Sequence, residues 1–128
     1  MRILGLGTDI TETDRIRHML DRHADHFLER VFTAGERAYC GQRKESAQHF
    51  AGRWAAKEAV MKALGTGWGE GVGWTDIEVE SQASGRPVIR LREGAAVVAA
   101  RLEIVEVLIT ISHCKEYATA TAIAVGAG

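Results

Sequence analysis

Cysteine is scarce in this chain, with Cys40 and Cys114 its only two. Two are too few for a disulfide framework, and they form no Cys-x-x-Cys pair, so free thiols in a reducing compartment are expected. An excess of charge of one sign is also lacking. Lys and Arg number 16 against 17 Asp and Glu, a net charge of −1, which excludes a generally basic nucleic-acid binder and leaves charge recognition to local patches. No apolar run approaches the roughly 18 residues of a membrane span, and the opening MRILGLGTDI lacks the longer apolar run of a secretory leader. The expected compartment is therefore the cytoplasm, with no membrane partner. No linker, internal repeat or low-complexity tract divides the 128 residues, which suit one domain over 1–128. A chain of this size can bury a real core, yet self-association would help it.

What is present is a strongly patterned middle. In FAGRWAAKEAVMK, Phe50 to Lys62, apolar residues recur at helical spacing, and the pattern runs on to about Leu64. Phe50, Trp54, Met61 and Leu64 form a bulky stripe. Ala51, Ala55, Ala59 and Ala63 form a second stripe, small enough to let another backbone approach closely. A helix apolar on so much of its circumference belongs against the body of the protein, so Glu58 needs a counter-charge, from Lys62 or from a metal.

The rest of the chain supplies elements to pack around that helix. Ile3 to Ile10 reads as a strand ending near Asp9, with Gly5 and Gly7 permitting close backbone approach; GLGTDI does not complete G-x-G-x-x-G. From Thr11, the positions of Ile16, Met19, Leu20, Phe27, Leu28 and Val31 predict a helical hairpin or bent helix, N-capped by Thr11 or Thr13. Its other face carries Arg15, Arg17, Arg22 and Arg30, a solvated face or a surface for an acidic partner. Thr33-Ala34-Gly35-Glu36 fits a capping box for a short helix to about Gly41, and Ser46 is a candidate cap for the central helix. Glycines 65, 67, 69, 71 and 73 end that helix in a loop that is either a plain connection or an approach to a phosphate. Asp76–Ser81 and Pro87–Arg92 alternate as a hairpin with one wet face. A further helix over Gly94 to Leu102 and strands over Ile104 to Ser112 and Tyr117 to Val125 complete an α+β fold with a mostly antiparallel sheet and a long central helix.

Two carboxylates stand out as candidates for chemistry. Asp9 at a strand end and Glu58 in a buried helix suit Mg²⁺, which prefers oxygen ligands, keeps several waters and commonly completes its shell with substrate phosphates. Taken singly, Asp9 is also explained by a turn or cap, and Glu58 by an ion pair with Lys62. Lys44, Arg53, Lys57, Lys62 and His113 add positive groups suited to an anionic ligand. The histidines His18, His23 and His26 match no zinc spacing.

Taken together, GLGTDI near the start, FAGRWAAKEAVMKALGTG in the middle and ISHCKEYATATA near the end resemble holo-(acyl-carrier-protein) synthase, the small type of 4′-phosphopantetheinyl transferase. The resemblance spans nearly the whole chain. It implies an enzyme of fatty-acid biosynthesis that moves the phosphopantetheine arm of coenzyme A to a serine of apo acyl carrier protein, releasing adenosine 3′,5′-bisphosphate. It implies Asp9 and Glu58 as ligands of Mg²⁺ and Lys62 as the lysine beside the diphosphate. Arg53 and His113 would contact coenzyme A at its 3′-phosphate, joined by Lys44, with Gly65, Thr66 and Gly67 as the glycine turn near the nucleotide. Arg15 and Arg30 would receive the acidic recognition helix of the carrier. A homotrimer with active sites between subunits is implied too, while the general base stays open between Glu58 and a metal-held water. A coenzyme A binder without turnover and a plain interaction domain are the competing readings from other classes.

Overall fold

The alanine stripe of the central helix has a physical counterpart. The computed structural model describes residues 1–66 and 70–128. Along the chain come β1 (Arg2–Glu12), α1 (Thr13–Val31), α2 (Ala34–Gly41), α3 (Ser46–Leu64), a 3-10 turn (Trp74–Asp76), β2 (Ile77–Ser81), β3 (Pro87–Leu91), α4 (Glu93–Arg101), β4 (Ile104–His113) and β5 (Tyr117–Gly126). All strand pairings are antiparallel: a three-stranded sheet ordered β1-β5-β4, and a separate β2–β3 hairpin. The expected α+β architecture is the one observed.

Helix α3 lies on the sheet at backbone distance. Ala51, Ala55, Ala59 and Ala63 are all buried. They meet residues that are equally small: Gly5 and Gly7 of β1, and Ala118, Ala120, Ala122 and Ala124 of β5. A Cβ on Gly5 would stand 1.9 Å from the carbonyl oxygen of Ala63, and one on Gly7 would stand 2.0 Å from that of Ala59. These are overlaps with backbone, so no rotamer change relieves them. Both small-residue features of the sequence are thus two sides of one contact.

The core divides around α3. One part gathers Val60, Met61 and Leu64 with Ile77 and Val79 of β2, Ala95 of α4 and Val107 of β4. The other joins Phe50 and Ala51 to Ile16, Phe27 and Val31 of α1, and to Phe32 and Cys40. Between them runs a fully buried ion pair, Lys57 Nζ to Glu36 Oε1 at 2.8 Å. Lys57 also donates to the carbonyls of Trp74 and Ile77, while Glu36 accepts from the amides of Thr33 and Val79. Every donor of the ammonium is therefore satisfied. Removing one partner alone would strand a buried charge, at a cost of about 3–5 kcal/mol.

Several local expectations change. Neither Thr11 nor Thr13 caps α1: Glu12 holds the N-cap position without a side-chain bond, Thr13 opens the helix, and the Thr11 hydroxyl donates to Asp9 Oδ2 at 2.8 Å. Ser46 is likewise the first helical residue of α3, after Glu45, with no side-chain cap. The Thr33–Glu36 capping box is present as expected. Helix α1 is the bent alternative, broken at Ala24. The hairpin is not wet along one whole face, because Glu78 is buried, accepts from the Thr33 hydroxyl and pairs with Arg92.

The face of the three-stranded sheet turned away from α3 is open. Leu6, Ile123 and Leu108 lie in register across it, and Leu6 and Ile10 are each 66% exposed.

Gly7→Ala tests the helix-sheet contact. The added methyl must push backbone apart, so urea unfolding is expected to register a loss of about 3 kcal/mol, the upper range for overpacking. Gly41→Ala, where a Cβ meets nothing within 4 Å, serves as the control without such a loss.

Candidate active site

Thr11, Asp9 and the glycines alternate along β1, so Gly5, Gly7, Asp9 and Thr11 share the face that meets α3. Because the glycines bring that face against Ala59 and Ala63, Asp9 arrives beside the helix stripe carrying Trp54, Glu58 and Lys62, spaced four residues apart. Lys62 Nζ donates to the Thr8 carbonyl at 2.8 Å and approaches Asp9 Oδ1 at 3.4 Å. It is thus Asp9, and not Glu58, that Lys62 engages.

Glu58 stands outside that pair. Its half-buried carboxylate makes no hydrogen bond or ion pair among the described residues. Burial raises its pKa above the usual carboxylate range, and the Asp9 charge raises it further, against the opposing charges of Lys62 and Arg15. Two oxygen-donor side chains with an unbalanced negative charge form a set that fits a hard divalent cation. No group of three or more His, Cys, Asp and Glu stands together among the described residues, so the remaining ligands of such an ion would be waters or substrate oxygens.

A second, cationic cluster lies on another side of α3. Arg53 and Glu58 are five residues apart, about 140° around the axis by the 3.6-residue period. Arg53 is buried, donates to Ser81 Oγ at 2.7 Å, and has an Nε without a partner among the described residues. It lines a recess of about 150 Å³ with Tyr39, His49, Ser81, Ile111 and His113. The rings of His49 and His113 meet edge to face at 4.9 Å. His113 Nδ1 stands 3.2 Å from Gln48 Oε1, and because an amide oxygen only accepts, Nδ1 carries the proton.

The other expected site residues fall around these two clusters. Lys44 is exposed in the turn before α3, tied to nothing among the described residues. Gly65 ends α3 in the left-handed region at φ 75°, with the amides of Gly65 and Thr66 returning to Lys62 and Met61. Thr66 keeps a buried hydroxyl without a partner among the described residues, and Gly67 lies outside them. Arg15, in the first turns of α1, places its guanidinium 5.8 Å from the Trp54 ring and acts electrostatically on Glu58. Arg30 sits in the last turn of α1, beyond the bend. Tyr39, His49 and Ser81 had no place in the sequence reading, although His49 and Arg53 are four apart on one helix, a signal the pattern did carry.

An α+β fold with a carboxylate pair on one side of its central helix and a cationic recess on another is a frame for handling phosphate esters. The comparisons with known proteins make this specific. Residues 5–122 match the 4′-phosphopantetheinyl transferase superfamily. The holo-[acyl-carrier-protein] synthase of Chlamydia pneumoniae is 48% identical over 124 residues, covering 97% of this chain and 98% of its relative. That of Protochlamydia amoebophila is 45% identical over 120 residues, covering 94% and 96%. Among solved structures, holo-[acyl-carrier-protein] synthase from Neisseria meningitidis superposes with a TM-score of 0.88 at 28% identity, covering 97% and 99% of the two chains. A holo-(acyl-carrier-protein) synthase from Bacillus anthracis, in complex with CoA (3′,5′-ADP), superposes at 0.81 with 38% identity, covering 98% of each. The chain belongs to the 4′-phosphopantetheinyl transferase superfamily, among the holo-[acyl-carrier-protein] synthases.

The raised pKa of Glu58 carries a consequence for stability. A carboxyl that titrates higher when folded than when unfolded adds no penalty at acid pH, and destabilises the fold as pH rises through its raised value. Glu58→Gln removes that penalty. In metal-free buffer the variant is expected to melt no lower than wild type at neutral pH, with any advantage fading toward pH 4. Added Mg²⁺ should raise the melting temperature of wild type and leave that of the variant unchanged.

Proposed function

We infer that the chain transfers the 4′-phosphopantetheine arm of coenzyme A to a serine of apo acyl carrier protein, giving holo carrier and adenosine 3′,5′-bisphosphate. The observation that carries this reading is Glu58, with no bonded partner among the described residues, beside Asp9 and Lys62, assembled by residues of two of the three motifs. Asp9 and Glu58 would hold Mg²⁺, and Thr11 orients one Asp9 oxygen by hydrogen bond. When bound, the ion offsets charge on the diphosphate and polarises it toward attack.

The carrier serine oxygen attacks the phosphorus that bears pantetheine, in line with the bond to the departing nucleotide phosphate. One phosphorus–oxygen bond forms and one breaks, the leaving bisphosphate takes up the negative charge, and the hydroxyl proton passes to a general base, for which Glu58 is this chain's own candidate. Lys62 is half-exposed on the Thr8 carbonyl, so its ammonium can meet charge growing on the phosphoryl and leaving group without losing its anchor. Arg53 and His113 would hold the 3′-phosphate, with Lys44 at the rim and Gly65, Thr66 and Gly67 near the nucleotide.

Assembly as a homotrimer, with sites between subunits, is part of the same reading. Two features support it: the open apolar row of the sheet, and the placement of the carboxylates and the Arg53–His113 recess on different sides of α3. One subunit would then supply the carboxylates and its neighbour the recess. Arg15 and Arg30 would meet the acidic helix of the carrier, on a helix made less uniformly basic by Asp25 and His26.

Mixing the protein with coenzyme A, Mg²⁺ and a panel of apo carriers is the test, read by the mass of each carrier. At least one carrier is expected to gain the phosphopantetheine mass, with Glu58→Gln and Asp9→Asn slowing the gain by about 10²-fold or more, as for removal of a charge-stabilising group. No gain on any carrier, with coenzyme A bound all the same, would identify a binder without turnover and overturn the reading.

A further inference from the structure

A further guanidinium, that of Arg43, stands beside the cationic recess, and it shares one ring of the recess lining, Tyr39, with Arg53. Arg43 and Arg53 place their guanidinium carbons 4.0 Å and 4.2 Å from the Tyr39 ring centroid. His49 meets the same ring edge to face at 5.9 Å, and His113 meets His49 edge to face in turn. No acidic side chain forms an ion pair with Arg43, Arg53, His49 or His113 among the described residues. Gathering two guanidinium groups without a counter-anion is unfavourable unless something else offsets their repulsion. Here the offset is the negative face of a phenol ring.

We propose that Tyr39 is the positioning residue of the anion recess: it holds Arg43 and Arg53 apart and aimed, ready for a phosphate dianion, and so sets the preference for a nucleotide carrying an additional phosphate. The buried Nε of Arg53, without a partner among the described residues, is the second observation that points to a ligand. Arg53 is also anchored on Ser81 Oγ, while the exposed Arg43 is held by the ring. The Tyr39 hydroxyl joins that anchor: its hydrogen bond to Ser81 lowers its pKa, as do Arg43 and Arg53, and burial opposes the shift. A recess arranged before the ligand arrives loses little conformational freedom on binding. The proposal rests on the reading of Arg53 and His113 as holders of the coenzyme A 3′-phosphate, and extends it to residues outside that set.

The test is calorimetric titration of adenosine 3′,5′-bisphosphate and adenosine 5′-monophosphate into the full chain as wild type, Tyr39→Phe and Tyr39→Leu. Wild type is expected to bind the bisphosphate at least tenfold more tightly than the monophosphate. Tyr39→Phe keeps the ring and should keep that ratio within about threefold. Tyr39→Leu, losing two cation–ring contacts, should reduce it about tenfold and raise KM for coenzyme A by a similar factor while kcat stays within about twofold. A ratio unchanged in Tyr39→Leu would overturn the role of Tyr39 and leave the recess assignment standing. A wild type with no preference would instead overturn that assignment. A purely structural role would weaken both nucleotides alike. Should Tyr39→Leu unfold, Tyr39→Met, which keeps side-chain length without the ring, is read in the same way.

Discussion

The backbone of β1 touches the backbone of α3, and the site depends on that contact. Gly5 and Gly7 permit it from the strand, Ala59 and Ala63 from the helix, and each glycine Cβ would overlap a helix carbonyl. Two residues beyond Gly7, on the same face, stands Asp9; one residue before Ala59 stands Glu58. Larger residues on either side would hold strand and helix farther apart, the ordinary arrangement for an amphipathic helix on a sheet, and separate the carboxylates. Packing of the smallest side chains therefore positions the most strongly charged part of the molecule.

The charges of α3 meet different fates because helical rotation sends each to a different environment. Lys57 is buried and fully paired with Glu36, joining α3 to α2 and β2. Glu58, the next residue, turns toward β1 and has no bonded partner among the described residues. Arg53 turns toward β2 and the recess, where Ser81 and Tyr39 hold it. A buried ion pair with saturated hydrogen bonds contributes little net stability, but it penalises any rotation of the helix that would expose it. The same pair thus holds Glu58 and Arg53 on their respective sides of the helix.

Much of this was legible in the residues. The order of elements and the close approach of helix and strand follow from periodicity and from small residues in register, and periodicity left α1 as either a hairpin or a bent helix, of which the bent helix is observed. The helix starts did not, because a threonine or serine caps only if its hydroxyl has no better partner, and Thr11 has Asp9. Lys57 reads in the sequence as one of the positive groups suited to an anionic ligand, but it is buried and taken up by Glu36, in another helix 21 residues away in sequence. Tyr39 was invisible for the same reason, while His49 left only its spacing of four from Arg53. Contacts among α2, α3 and the β4–β5 turn are set by tertiary packing, and no local pattern records them.

The claim on which the rest turns is that Asp9 and Glu58 act as one ligand pair. Titration of Mn²⁺, whose free form is counted by electron paramagnetic resonance, into wild type, Asp9→Asn, Glu58→Gln and the double variant measures this directly. If the pair holds one ion, wild type binds one Mn²⁺ per chain and each single variant loses nearly as much affinity as the double, the non-additivity of groups acting as a unit. Wild-type affinity in either single variant would contradict the account.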